Sequence, residues 1–166
     1  MEKNSKKSSF KIDVHPLLEV CRLLNEFNVK YVVIGGWAVN IHGYIRPTKD
    51  VDIMVERTKE NVTKTLKALE NLPWRIAGEI MPEEIISKPF TIIGDYPRVD
   101  IITSSMGINY ETIKDKILWT EVDNIKIPYA DIDTLIKLKQ TGRKRDEADI
   151  EELELIKKLK EEQKND

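Results

Sequence analysis

The chain has 166 residues, of which 40% are hydrophobic and 34% are charged, with 27 Lys and Arg against 29 Asp and Glu. This length supports one hydrophobic core and excludes two large ones, and a net charge of −2 excludes a general attraction for nucleic acid. The single cysteine, Cys21, excludes disulfides and cysteine-based zinc sites within one chain, and its apolar surroundings predict a buried thiol.

The ends of the chain and its uncharged runs bear on location. The uncharged runs are too short and too often interrupted to span a membrane as a helix, and the polar first residues do not form a secretory signal. We therefore expect a cytoplasmic protein without a membrane partner. We expect a flexible arm over residues 1–12, one domain over 13–160 and a solvated tail over 161–166.

The first half of the chain alternates helices and strands. Apolar residues at helical spacing after Pro16 predict a first helix, and the β-rich run before Gly35 predicts a strand followed by a tight turn. The predicted elements are a helix over 16–28, a strand over 30–34, a helix over 37–42, a strand over 50–55 and a helix over 59–71.

The second half predicts two hairpins and a helical end. Short β-like runs cover 74–77 and 90–93, and a Gly-Asp-Tyr-Pro turn leads from the second run into 98–103. A second hairpin is predicted from strands over 119–122 and 125–127, followed by helices over about 131–140 and 143–160. The order predicts an α/β (α+β) domain with a mixed sheet flanked by helices and a C-terminal helical segment.

Three aspartates stand in apolar β-like runs. Asp50 and Asp52 alternate with apolar residues, so both carboxylates are predicted on one side of a strand, and Asp100 lies in a second such run. Adjacent carboxylates repel unless a cation neutralises them, and Mg²⁺ prefers oxygen ligands. The pattern therefore predicts a magnesium site. The alternative is structural: Asp50 caps a turn, and the other two aspartates pair with Lys49 or Arg98.

A glycine pair follows the first predicted strand. Gly35 and Gly36 come between that strand and a helix, where backbone N–H groups can face a phosphate. A turn required only for tight packing would look the same. The pair therefore gains weight only from the residues around it.

The stretch IGGWAVNIHGYIRPTKDVDIMV resembles the signature of the polymerase-β-like nucleotidyltransferase superfamily, with Gly-Gly followed by Asp-x-Asp. Asp100, in RVDIIT, resembles the third carboxylate of that superfamily. The residues and spacing of this stretch look most like those of small AbiEii-type proteins, with a fainter similarity to lincosamide-type antibiotic nucleotidyltransferases. The resemblance covers about residues 16–150, including a tail similar to the pattern Lys…Arg-x-x-Asp-x-x-Asp.

The resemblance implies a nucleotidyltransferase fold and a role for each matching residue. Asp50 and Asp52 would hold two Mg²⁺ ions, and Asp100 would complete the second site and could accept a proton from the acceptor hydroxyl. The residues expected to bind nucleotide are Gly35, Gly36, Arg46, Lys139 and Arg143.

Other residues of the motifs have ordinary alternatives. Asp146 and Asp149 would orient the cations, although the tail could equally be ion pairs along two solvated helices. Arg46 could contact phosphate or be a surface residue. His42 could support the site or satisfy backbone carbonyls at a helix end, and Trp37 is predicted mainly to pack.

The predicted activity is transfer of a nucleotidyl group from a Mg²⁺-nucleoside triphosphate to a hydroxyl group, with release of pyrophosphate. An RNA end or a protein hydroxyl is favoured over a small antibiotic, partly because the AbiEii-type resemblance implies macromolecular targets. The residues add a local basic patch, formed by Lys137, Lys139, Arg143, Lys144 and Arg145. A noncatalytic nucleotide-binding module of a two-protein, toxin–antitoxin-like system is the main rival, and a metal-dependent phosphohydrolase is a second. A homodimer or another protein is expected to complete the acceptor side.

Overall fold

Six strands form one mixed sheet in this protein. The structure is a computed structural model that describes residues 15–165. The predicted arm over residues 1–12 lies outside that part. The strands are β1 (Tyr31–Ile34), β2 (Val51–Val55), β3 (Phe90–Ile93), β4 (Val99–Ile102), β5 (Leu118–Val122) and β6 (Ile125–Tyr129). The sheet order is β3-β4-β2-β1-β6-β5, and the β1–β6 and β2–β4 pairs are parallel. The predicted mixed α/β architecture is confirmed.

Seven α-helices accompany the strands within residues 15–165. They are α1 (His15–Glu26), α2 (Gly35–Ile41), α3 (Lys59–Leu69), α4 (Pro82–Ile86), α5 (Tyr110–Ile113), α6 (Ile132–Leu138) and α7 (Lys144–Lys164). None of the helices described here is long and apolar enough to cross a membrane.

The core lies between the sheet and its helices. Helix α1 contributes its apolar face, where Val20, Cys21 and Leu24 are fully buried, as the helical spacing predicts. Burial raises the pKa of the Cys21 thiol to about 12, so this thiol stays protonated and acts as a small hydrophobic side chain. Trp37 in α2 is also buried in the core, which confirms its predicted packing role.

Both predicted hairpins are present. Strands β3 and β4 pair antiparallel, and β5 and β6 do the same around Asp123 and Asn124. These two turn residues have φ of 49° and 64°, the left-handed conformation that a two-residue hairpin turn requires.

The strand predicted over 74–77 is wrong. Arg75 has φ of 50°, and the chain continues as a 3-10 helix over Ile76–Glu79. Trp74 packs against Gly94 and donates a hydrogen bond to the Pro97 carbonyl at 2.9 Å. The β-like composition of this run reflects side-chain packing onto the β3–β4 turn, because packing can override local propensity.

Most predicted boundaries shift by one or two residues, and three of the differences concern the candidate site or the C-terminal helix. Helix α2 begins at Gly35, two residues before the predicted start, so the glycine pair forms its first turn. Strand β2 begins at Val51, which leaves Asp50 in the preceding bend. Helix α7 continues to Lys164, beyond the predicted end at residue 160.

Candidate active site

Three carboxylates lie at one end of the neighbouring parallel strands β2 and β4. Asp52 and Asp100 are the second residues of β2 and β4, and the register places them directly opposite each other. Adjacent strands lie about 4.8 Å apart, so the two side chains project next to each other from one face. Asp50, whose side chain is 43% exposed, borders the same cleft. The structure thus brings the three predicted aspartates together.

Asp52 and Asp100 interact strongly. Burial, the negative charge of Asp100 and a hydrogen bond between the two carboxyl groups raise the pKa of Asp52 to about 7. Two carboxylates this close cannot both ionise without a nearby cation, so near neutral pH the pair holds one proton part of the time. The pair is therefore suited to exchange that proton for a cation.

Arg98 supplies a positive charge on the other side of Asp100. Its Nε and Nη2 donate to the two oxygens of Asp100 at 2.9 and 3.1 Å, and its Nε lies 3.6 Å from Asp50 Oδ2. The structural alternative considered for Asp100, an ion pair with Arg98, is present. No such ion pair is present for Asp52, so burial and the charge of Asp100 outweigh the opposing effect of Lys139 on its pKa.

These residues fit a divalent cation by their chemistry. They offer carboxylate oxygens, the ligands that Mg²⁺ prefers, and Asp52 and Asp100 repel each other in the absence of a cation. In the arrangement described, Arg98 engages both oxygens of Asp100. Residues 15–165 contain no group of three His, Cys, Asp or Glu side chains already placed around one metal position.

Gly35 lies directly beside Asp52. Strands β1 and β2 pair Ile34 with Asp52, and the chain then turns at Gly35 with φ of 68°. A Cβ atom at residue 35 would overlap the Asp52 carboxylate, so this position requires glycine for conformation and for space. The glycine and the aspartate of the sequence motif are thus in contact because of the strand register.

A cleft of about 600 Å³ opens beside these carboxylates. Of the predicted site residues, those that line it are Gly35, Gly36, Arg46, Asp50, Asp52, Asp100, Lys139, Arg143 and Asp146. A second depression, of about 560 Å³, lies between α1 and the β5–β6 hairpin and contains none of them. We place the candidate site in the first cleft, because it combines the carboxylates with several cations.

Asp149 of helix α7 forms ion pairs with two positively charged side chains of the cleft. Arg46 donates to both oxygens of Asp149, at 2.9 and 2.7 Å, and Lys139 Nζ lies 2.8 Å from Asp149 Oδ2. All three side chains are largely buried, with exposed fractions of 14% for Arg46, 9% for Lys139 and 1% for Asp149. Burial acts to raise the pKa of Asp149, but the hydrogen bonds from Arg46 and Lys139 outweigh it, and the pKa is lowered. Lys139 and Asp149 are therefore buried ion-pair partners, unlike the solvated helix pairs of the alternative.

Arg143 is arranged more openly, although its partner Asp146 is buried. Arg143 Nε donates to Asp146 Oδ2 at 2.9 Å, while the side chain of Arg143 is 76% exposed. Asp146 also accepts a hydrogen bond from the Thr141 hydroxyl and lies 3.8 Å from Lys139 Nζ. Most of the Arg143 side chain is therefore exposed beside the cleft, whereas Lys139 is enclosed.

His42 lies away from the cleft. Its Nε2 is 2.8 Å from the Ala130 carbonyl, and its ring packs edge-on against Tyr129. Burial lowers the pKa of His42 and favours the neutral ring. The alternative role, satisfying a backbone carbonyl at a helix end, is the one observed.

The pairing of Arg46 with Asp149 is a site feature that the sequence did not predict. The two residues are 103 positions apart, and the motif suggested Arg143 as a partner of the tail aspartates. The low exposure of a tail aspartate could not be deduced, because helix α7 has only a weak apolar periodicity from which to infer its buried face.

Comparison with known proteins agrees with this geometry. Residues 16–154 match the family model described as aminoglycoside-2''-adenylyltransferase. The structure of lincosamide antibiotic adenylyltransferase LnuA with bound lincomycin superposes with a TM-score of 0.55 at 19% identity, over 86% of this chain and 96% of that one. A nucleotidyltransferase-like protein from Paracoccidioides brasiliensis superposes with a TM-score of 0.54 at 13% identity, over 89% of this chain and 76% of that one. Among curated proteins there is no significant match.

The fold and the carboxylate site define a member of the nucleotidyltransferase superfamily, as the sequence motifs predicted. Within it, the chain belongs to the aminoglycoside-2''-adenylyltransferase family, whose model covers most of its length. The predicted AbiEii-type placement and the preference for an RNA or protein acceptor receive no support from these comparisons.

Proposed function

We propose that this chain transfers an adenylyl group from ATP to a hydroxyl group of a small, antibiotic-like acceptor and releases pyrophosphate. The observation that carries the proposal is the paired Asp52 and Asp100 beside a cleft lined by Arg46, Lys139 and Arg143. The carboxylates suit a divalent cation and the cations suit a triphosphate. The family description and the lincosamide enzyme both name adenylyl transfer to small antibiotics, which supports the choice of donor and acceptor.

The proposed metal ligands are Asp50, Asp52 and Asp100. A bound Mg²⁺ would neutralise phosphate charge and lower the pKa of the acceptor hydroxyl, as in other phosphoryl-transfer sites. Gly35 and Gly36 form the wall nearest the carboxylates, so we assign them to the triphosphate.

The positively charged side chains that line the cleft have different roles in this proposal. Lys139, held by Asp149, would position a phosphate, and the exposed Arg143 would contact it from the cleft entrance. Arg46 presents its Nη1 toward Gly36 while its other nitrogens bind Asp149. Nη1 also makes a long hydrogen bond of 3.5 Å to the Pro47 carbonyl, and its second N–H is the donor that we assign to a phosphate oxygen.

In the transfer step, the acceptor oxygen forms a bond to the α-phosphorus, and the bond from that phosphorus to the bridging oxygen breaks. Pyrophosphate leaves with the bonding electron pair. The hydroxyl proton passes to Asp100, the carboxylate predicted to act as the general base.

The acceptor decides between this proposal and the one favoured by the sequence. Arg143, Lys144 and Arg145 are exposed near the cleft and would suit RNA phosphates. A second copy or another protein that completes the acceptor wall also remains a prediction, which gel filtration tests. The family match is the specific observation that favours a small acceptor instead.

Incubation with each of the four nucleoside triphosphates labelled at the α-phosphate tests the proposal. Aminoglycosides, lincosamides, total RNA and lysate protein would be supplied separately with Mg²⁺. We expect label on a small acceptor and pyrophosphate release that depends on that acceptor. Label on RNA or protein would replace the acceptor, hydrolysis without an acceptor would indicate a phosphohydrolase, and binding without turnover would indicate a noncatalytic module.

The variant Asp52→Asn tests the assigned carboxylate. It keeps the shape of the side chain and removes one charge, so we expect transfer to fall by at least about 100-fold while the fold persists. Asp115→Asn is the matched control, because Asp115 is exposed and does not line the cleft. Full transfer activity in purified Asp52→Asn would contradict the assigned role.

A further inference from the structure

Gly36 has no side chain, and another residue occupies the space beside it. A Cβ atom at residue 36 would lie 2.8 Å from both Oγ1 and Cγ2 of Thr48. Thr48 therefore packs against the backbone of Gly36, and both residues line the cleft. The loop that follows α2 thus places a hydroxyl group where a side chain at position 36 would otherwise project.

The loop holds this hydroxyl in place through Asn40. Asn40 accepts a hydrogen bond from the Arg46 backbone N–H at 3.1 Å and donates its side-chain N–H to Thr48 Oγ1 at 3.3 Å. Thr48 itself donates to the Arg46 carbonyl at 3.3 Å. Hydroxyl hydrogen bonds are shortest and strongest near 2.7–2.8 Å, so this donated bond is weak and the proton is available to a better acceptor.

The surroundings of Thr48 favour an anionic acceptor. Arg46 Nη1 would lie 3.3 Å from the same Cβ position of residue 36, and the exposed Lys49 lines the cleft next to it. A phosphate oxygen near Gly36 would therefore meet a hydroxyl donor and a guanidinium donor together. Hydrogen bonds to a charged acceptor are stronger than those to a carbonyl, so the Thr48 hydroxyl would donate its hydrogen bond to the phosphate instead of the Arg46 carbonyl.

We propose that Thr48 is a nucleotide-binding residue whose hydroxyl donates a hydrogen bond to a phosphate oxygen of the nucleoside triphosphate beside Gly36. The proposal rests on the proposed function, because it requires a triphosphate in the cleft. Gly36, in the first turn of α2, has no side chain that could donate a hydrogen bond to the phosphate. The loop after α2 supplies this donor through Thr48.

Calorimetric titration with Mg²⁺-ATP compares Thr48→Val, which removes only the hydroxyl, with Thr48→Ser, which keeps it. We expect Thr48→Val to weaken binding about tenfold or more, as for a hydrogen bond to a charged group, and Thr48→Ser to stay within about threefold of the unchanged protein. Thr63→Val is the matched control, because the Thr63 hydroxyl bonds to the Lys59 carbonyl within α3, outside the cleft.

A pair of exchange variants tests the geometry. Gly36→Ser alone should lower Tm, because its Cβ would displace a β-branched side chain that two hydrogen bonds hold. In Gly36→Ser combined with Thr48→Ala, the space that the Thr48 side chain fills is free. The new side chain at position 36 then supplies the hydroxyl group there. We therefore expect this double variant to bind Mg²⁺-ATP more tightly than Thr48→Ala and to regain Tm relative to Gly36→Ser.

The outcomes separate this proposal from the proposed function. If the unchanged protein binds none of the four nucleoside triphosphates, both proposals fail. If it binds ATP and Thr48→Val binds equally well, only the role of Thr48 is overturned. Failure of the double variant to bind better than Thr48→Ala would also overturn that role.

Discussion

At the level of single residues, Asp52 carries a charge that its neighbours compensate poorly. It is partly buried, its nearest ionisable neighbour is another carboxylate, and the adjacent Arg98 is engaged by Asp100. In the absence of a cation, ionisation of Asp52 therefore opposes folding. Sites that bind metal commonly give up stability in this way, because the ligands must be brought together before the ion neutralises them.

This charge predicts how stability depends on pH. The folded protein keeps the Asp52 proton up to about pH 7, whereas an unfolded aspartate loses it near pH 4. The folded state thus binds more protons in this window, so the free energy of unfolding should fall as pH rises from about 4 to about 7, by about 1 to 3 kcal/mol.

Urea unfolding with EDTA at several pH values measures this fall. Asp52→Asn should lack that component, show a flatter profile and be the more stable protein above pH 7. Parallel profiles for the two proteins would contradict a raised pKa at Asp52.

At the scale of elements, helix α7 is attached to the cleft mainly through charge. Its buried residues are Asp146, Asp149 and Leu153, and two of these three are carboxylates. Asp149 joins α7 both to the Arg46 loop and to Lys139 after α6. The position of the cleft cations and the docking of the helix therefore depend on the same side chain.

Asp149→Asn should destabilise the protein and weaken nucleotide binding together. Removing one partner leaves Arg46 and Lys139 buried without full compensation, so we expect a loss of about 2 to 4 kcal/mol in the free energy of unfolding. Asp133→Asn is the control, because the Asp133–Lys157 pair has the same 2.8 Å length but is exposed. Its loss should stay below about 1 kcal/mol. Equal losses from the two variants would show that burial of Asp149 is not what matters.

At the scale of the whole molecule, the cleft joins elements from both halves of the chain. Residues from β1 and β2 meet residues after α6 and at the start of α7 there. A ligand that contacts all of them binds only the folded chain, so binding must stabilise the entire domain.

Thermal unfolding with Mg²⁺-ATP checks this. At about 100 times the dissociation constant, binding adds about 2.7 kcal/mol, which for a domain of this size raises Tm by roughly 5 to 10 °C. Adenosine, which lacks phosphates, should give a much smaller shift, and Asp52→Asn should respond less to Mg²⁺. Absence of any shift with all four nucleoside triphosphates would contradict nucleotide binding in the cleft.

Features that depend on near neighbours in the chain could be predicted from the sequence. Alternation along a strand placed Asp52 among apolar residues, the Asp123-Asn124 pair specified a hairpin turn, and Gly35 marked the bend from strand to helix. Each of these follows from steric and hydrogen-bonding preferences within a few residues, which is why they could be predicted. The run over residues 74–77 was predicted wrongly because packing of Trp74 on a distant turn outweighed its β propensity.

Contacts between distant residues in the cleft could not be predicted, because they depend on how the whole chain folds. The parallel register of β2 and β4 puts Asp52 beside Asp100. The docking of α7 brings Asp149 into contact with Arg46, and the loop after α2 packs Thr48 against Gly36. Motifs show that such residues occur but do not specify their contacts. Register and helix docking are set by burial summed over the whole core, and no local pattern in the chain contains that sum.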